Sequence, residues 1–194
     1  KDLFEEYSIK EANPYIVSQA ENFHFTLINE SHYSGQNRAF TKDLLKPLWD
    51  IGYRYLALEA FSSRDTLLDD LKYPNLNTGY YCKESNMGNL IREALSIGYK
   101  LIQYDVRVKG HLELLQRENL RDQAQAENIY NRTFKNDAVG KVLIHSGHDH
   151  QMEFSTNEHE FMGASLRKIS KQDILTINQN VMVEKWGKEN DYYN

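Results

Sequence analysis

A single cysteine, Cys82, stands in 194 residues. An internal disulfide framework and a multi-cysteine metal centre are both excluded by that count. Apolar runs extend only a few residues, far short of the roughly 20 that a membrane-spanning helix needs. Positive charge is not concentrated anywhere: 23 Lys and Arg face 28 Asp and Glu, for a net charge of -5. Nucleic-acid binding, whose footprint is a basic face, therefore finds no support. Three familiar signatures are also missing. There is no Walker-type phosphate loop, no G-x-G-x-x-G fingerprint and no G-x-S-x-G elbow. Repeats at solenoid spacing and low-complexity tracts are absent too.

What remains is an ordinary globular composition, 40% hydrophobic and 26% charged, and a length that suits one domain. We expect a single α/β domain over residues 1–194, its core running from about 23 to 179, with polar, peripheral ends at 1–14 and 185–194. The first residue is Lys1 rather than Met, compatible with a processed or trimmed N-terminus. A cell-envelope or periplasmic location and a cytoplasmic one both fit, since a bacterial periplasmic protein can also lack disulfides.

Short β-rich runs alternate with amphipathic stretches. Residues 23–28 (FHFTLI) read as a strand that ends in Asn29-Glu30-Ser31. Residues 38–51 read as a helix, with Phe40, Leu44, Leu45, Leu48 and Ile51 on one face and Gly52 as its stop. Residues 53–58 (YRYLAL) form a second strand. The rhythm repeats with a helix over 89–97 stopped by Gly98, a strand over 100–104, and a long polar helix over 111–134 anchored by Leu115, Ile129 and Phe134. A strand over 141–144, a helix over 158–169 and a strand over 174–177 complete it. Strands separated by helices indicate βα repeats and a largely parallel central sheet flanked by helices. Residues 72–85, with Pro74, Asn75, Asn77, Gly79 and three tyrosines, read as a long surface loop of the kind used for binding.

Ligands of open α/β sheets bind at the carboxyl ends of the strands. Four strands deliver titratable groups there: Glu30 and His32 after the first, Glu59 after the second, Asp105 and Arg107 after the third, and His145, His148, Asp149 and His150 after the fourth. Any one of these is more often a loop-fixing hydrogen bonder than a catalyst; their convergence is the argument for a site. Glu59 ends an apolar strand, so it needs a partner, which could be Arg107, His32 or a metal. If the fourth strand continues through His150, His148 and His150 share a face. With His32 or Glu59 they could bind a divalent transition metal, and hydrogen-bonded loop residues fit the spacing equally well. Gly147 lets the backbone turn or approach a ligand closely. Arg121 is by default a solvated helix residue beside Glu118 and Asp122, but its fork could instead hold an anionic group.

The order of these motifs resembles the erythromycin esterase-like, ChaN-like and Tiki-like superfamily. Asn29-Glu30-Ser31-His32 resembles its G-E-x-H motif, with Asn29 where the glycine would be. Tyr55-Leu56-Ala57-Leu58-Glu59-Ala60-Phe61 resembles its second strand and functional glutamate. Residues 121–128 resemble its Arg-Asp helix, and Gly147-His148-Asp149-His150 its second G-x-x-H motif, with His148 where relatives carry a small residue. Residues 161–166 and 175–179 fit its C-terminal part, so the likeness spans about 23 to 179.

The resemblance implies His32, Glu59 and His150 as the core of a catalytic site with Glu30, and Arg121 in support; Asp105 and Arg107 are further candidates for substrate binding. It also implies chemistries that differ among members: ester hydrolysis by His/Glu-activated water, metal-dependent proteolysis, and haem binding. A hydrolase of small-molecule esters or of peptides is the leading expectation, with a metal held by His32, Glu59, His148 and His150. A haem-binding protein using His or Tyr ligands near Tyr80 and Tyr81 is the alternative. A fold retained without activity is a third reading. Oligomeric state is not legible.

Overall fold

The structure is a computed structural model that describes residues 10–61 and 68–180. Five strands form the sheet: β1 (Phe25–Glu30), β2 (Tyr53–Leu58), β3 (Lys100–Gln103), β4 (Lys141–Gly147) and β5 (Ile174–Ile177). Their spatial order is β3-β2-β4-β1-β5, and every pairing is parallel. The connecting helices are α2 (Gly35–Asp50), α4 (Ser85–Ile97), α5 (Leu114–Arg132) and α6 (Met162–Ser170); α1 (Ala12–Ala20) precedes the sheet and the short α3 (Leu68–Leu71) follows β2. The expected parallel α/β architecture is the one found.

Alternation along the strands divides the core in two. Ile28, Leu56, Leu58 and Leu143 face α2 and α4 with Leu44, Leu45, Leu48, Leu90 and Ile91. Phe25, Leu27, Tyr55, Ala57, Val142 and Ile144 face the other way, against Ala126, Ile129, Met162 and Leu166 of α5 and α6. Each such fully buried aliphatic side chain contributes about 1.5–3 kcal/mol by leaving water. Right-handed crossovers require this arrangement: steps β1 to β2 to β3 run one way across the sheet, and steps β3 to β4 to β5 run back, so their helices cover opposite faces. The central strand β4 therefore sends its chain to the face opposite that used by its neighbours β1 and β2. A crevice opens at its carboxyl end, where such sheets bind ligands.

Several boundaries differ from the sequence reading. Strand β1 runs on through Asn29 and Glu30, each only 2% exposed, because their backbone pairs with Ser146 and Gly147 of β4. Strand β4 likewise continues to Gly147, which places His145 inside the sheet. The chain then enters a 3₁₀ turn, His148–Gln151. Its coil breaks strand alternation, so His148 and His150 do not share a face. Helix α4 starts four residues earlier than expected because Glu84 caps it, accepting from the Asn86 and Met87 amides at 2.9 Å each. Leu115, expected as an anchor, is 42% exposed; the first turn of α5 overhangs the cleft rather than the core. Residues 158–161 are not helical; Glu160 instead forms a small antiparallel bridge with Ser155. Helix α1 was not anticipated, and the peripheral ends at 1–9 and 185–194 lie outside the described residues.

Candidate functional site

Two histidine–carboxylate systems meet above Gly147. The first is built on β1 and α2. Arg38 grips Glu30 with two bonds, Nε to Oε2 at 2.6 Å and Nη2 to Oε1 at 2.8 Å, and reaches Glu84 Oε2 with Nη1 at 3.0 Å. Burial alone would raise the Glu30 carboxyl, but the Arg38 and His32 bonds outweigh it and bring it down to about 2. An ionised carboxylate only accepts hydrogen bonds. His32 Nδ1, 2.8 Å from Glu30 Oε1, must therefore carry a proton, which leaves Nε2 as the ring nitrogen on the Gly147 side. The ring stacks on Tyr81 at 4.4 Å between centroids. The site side of His32 lies so close to β4 that a Cβ on Gly147 would stand 2.7 Å from Nε2. Glycine is required here by close approach rather than by backbone angle.

The second system joins β2, α5 and the turn after β4. Both Glu59 oxygens are occupied: Oε1 accepts from Arg121 Nη2 at 2.7 Å and Oε2 from the Gly147 amide at 2.6 Å. Burial would raise this carboxyl too, but His150 and Arg121 hold it well below the usual range. Arg121 also bonds Asp105 through Nε at 2.9 Å, and Gln125 Nε2 donates to the same Asp105 oxygen at 2.7 Å. His150 donates from Nδ1 to the buried Asp122, whose other oxygen accepts from His159 Nε2 at 2.5 Å. Nε2 of His150 lies 3.5 Å from Glu59 Oε1 and 3.2 Å from Arg121 Nη1. Burial pushes the His150 imidazole down, yet Asp122 and Glu59 outweigh it and lift it to about 10. The guanidinium opposes that proton, but Glu59 and Asp105 already balance its charge. His32, Glu59, Arg121, Gly147 and His150 line one cleft of about 580 Å³, whose wall includes the exposed Leu114 and Leu115.

The structure thus brings Glu30, His32, Glu59, Asp105, Arg121 and His150 to one edge. His148 is exposed, its carbonyl accepting from Asn29 at 3.2 Å and its ring 6.1 Å from that of His32. Arg107 is exposed and does not pair with Glu59; Arg121 does. Asn29 ties the strand ends together, its Oδ1 accepting from the Gln179 amide at 2.6 Å and its Nδ2 donating to Asn178 Oδ1 at 3.1 Å. Sequence reasoning missed Arg38, Asp122 and His159. The first two carried a signal: Arg38 is in helical phase with Thr41, Leu45 and Leu48, and Asp122 with Gln125, Ala126 and Ile129, all buried.

Among the described residues, no three His, Cys, Asp or Glu side chains are arranged to hold a metal ion. The donor set gives the reason. Arg121 already places a cation against Glu59 Oε1, and the Gly147 amide takes Oε2; the Nδ1 bonds of His32 and His150 leave each Nε2 available and so do not count against a metal. Tyr80 is 79% exposed, its hydroxyl has no hydrogen-bond partner among the described residues, and its ring meets that of Tyr81 beside the cleft. Either phenol would be the oxygen donor to a haem iron.

No protein-family model and no curated protein matches the sequence. Solved structures do. ChaN of Campylobacter jejuni, described as binding haem cofacially, superposes with a TM-score of 0.63 at 12% identity, over 91% of this chain and 89% of that one. The type III effector HopBA1 matches with a TM-score of 0.56 at 14% identity over 76% of each chain. RRSP, a MARTX toxin effector domain from Vibrio vulnificus, matches with a TM-score of 0.55 at 19% identity, over 80% of this chain and 34% of that one. At these identities the likeness shows a shared ChaN-like fold and no more.

Proposed function

We propose that the protein is a hydrolase of ester or peptide bonds that activates water with a His/Glu site at the carboxyl ends of the strands, in the manner of the erythromycin esterase-like group. The observation that carries this reading is the pairing of two carboxylate-oriented imidazoles on one cleft. His32 is oriented by Glu30 with Nε2 on the Gly147 side, and His150 is held protonated by Asp122 and Glu59.

His32 Nε2 takes a proton from water as the water oxygen attacks the carbonyl carbon. The carbonyl π pair moves onto oxygen, and the Arg121 and His150 cations stabilise the resulting oxyanion. Collapse of that intermediate expels the leaving group, which takes a proton from the His32 imidazolium or from His150. Glu59 bonds both Arg121 and the Gly147 amide, so it positions the electrophilic side rather than taking up a proton.

The test pairs a panel of p-nitrophenyl esters and fluorogenic peptides with His32→Ala, His150→Ala and Glu59→Gln. A general base contributes about 10²- to 10⁴-fold, so His32→Ala should lose turnover by that factor while keeping its thermal melt. Full activity in all three variants would sink the assignment. Haem binding is the second reading, favoured by the exposed Tyr80 hydroxyl and the ChaN fold. A Soret band on haem titration, lost in Tyr80→Phe and Tyr81→Phe, supports it; no spectral change at stoichiometric haem removes it.

A further inference from the structure

A second cleft of about 460 Å³ adjoins the first and shares Glu118 and Arg121 with it. Its lining is mainly polar, with Arg107 and Arg117 among the contributors, and Phe61, Val106 and Val108 supply its apolar part. Arg107 makes no ion pair or hydrogen bond with any described residue, and Arg117 makes one bond, Nη2 to the Leu112 carbonyl at 3.2 Å. Among the described residues, neither guanidinium thus has a carboxylate partner. The acids nearby do not remedy this: Asp105 is taken by Arg121 and Gln125, and Glu118 leans on Arg121 at 3.5 Å. Arg117 also sits in the first turns of α5, whose N-terminal amides add to the positive potential.

We infer that this cleft is a specificity subsite for a carboxylate carried by the substrate. Arg107 and Arg117 hold the carboxylate, and Val106, Val108 and Phe61 take the short alkyl spacer that links it to the scissile bond over Arg121. A guanidinium presents parallel donors that match a carboxylate's two oxygens. The inference rests on the hydrolase reading for its scissile bond, but not for its binding step.

Two measurements separate these. The first compares kcat/KM for mono-p-nitrophenyl glutarate and p-nitrophenyl butyrate. Wild type should prefer the half-ester, and the preference ratio should fall about tenfold in Arg107→Gln and in Arg117→Gln, the scale of one charge-assisted hydrogen bond at a partly exposed site. The second titrates glutarate itself calorimetrically, with no turnover required; the Arg107→Gln, Arg117→Gln double variant should bind at least tenfold more weakly. Hydrolysis with no preference, or a preference that both variants keep, overturns the subsite and leaves the hydrolase reading standing. Arginine-dependent glutarate binding without hydrolysis of either ester supports the subsite and counts against the hydrolase reading. No glutarate binding, or binding indifferent to both arginines, overturns the subsite outright.

Discussion

Replacing Gly147 by alanine isolates the approach of His32 to β4. The backbone has no objection, since Gly147 has φ -74° and ψ 157°, a region open to any L residue. The new Cβ would stand 2.7 Å from both Nε2 and Cε1 of His32 and 3.2 Å from Glu59 Oε2. Carbon contacts relax at about 3.5 Å or beyond, so the ring must retreat by about 0.8 Å. Tyr81 is stacked on one face of that ring and Glu30 is bonded to Nδ1. Any retreat therefore stretches one of these contacts. Losing the Glu30 bond costs about 1–2 kcal/mol, at the low end for a charged acceptor because His32 is a quarter exposed. Urea unfolding should register that modest loss, while turnover should fall about 10²-fold or more as the base leaves its position. Ring ¹⁵N shifts give a readout that needs no substrate. Wild-type His32 should show a protonated Nδ1 and a bare Nε2, and the variant a mixture of tautomers. Unchanged ring shifts together with unchanged turnover would refute the reasoning.

Arg38→Met leaves the buried Glu30 charge without its main partner and should destabilise by about 3–5 kcal/mol in urea; a loss under about 1 kcal/mol would mean the pair is not the anchor described. The acid limb of stability follows from two groups. Glu30 is lowered to about 2, so its contribution, about 3 kcal/mol, is present above pH 4.5 and disappears as pH falls towards 2. His145, lowered by burial, with Nε2 3.6 Å from Glu30 Oε2 and without a hydrogen bond among the described residues, adds a loss that begins as pH falls below 6.5. A melt unchanged between pH 7 and 3 contradicts both. His150, lifted to about 10, works in the other direction: its contribution is full below pH 6.5 and fades as pH rises through 10. Asp122→Asn should bring its NMR titration down towards 6.5; a midpoint still near 10 would mean that Asp122 is not what holds the proton.

Much of the fold was legible because hydrophobic periodicity is local. The stripes Leu44, Leu45, Leu48 and Leu90, Ile91, Ala94 mark their helices without any knowledge of the sheet, and Gly98 at φ +112° ends its helix where expected. Strand ends were harder to place. Nothing local says that Asn29 and Glu30 stay in β1, since polar residues after an apolar run ordinarily mark a loop. They are kept in the sheet by β4 alongside and by Arg38, Gln179 and Asn178, which satisfy their side chains. His159 was read as helical and so escaped notice; its importance depends on Asp122, 37 residues earlier in the chain.

Glu30, His32, Glu59, Asp105 and His150 were placed at this edge from the sequence, by the rule that strand ends in a parallel sheet converge, whereas Arg38, Asp122 and His159 were not named as part of it. Their partnerships and charge states were decided by the tertiary structure alone. Whether Glu59 meets a metal, Arg107 or Arg121 depends on side chains reaching across 62 residues of chain, and spacing along the chain does not encode that distance. Whether a histidine is a base or an acid depends on which carboxylate faces which nitrogen, and on how much water burial has removed. Those terms exist only once Glu30, Asp122 and Glu59 have been folded out of solvent against their partners.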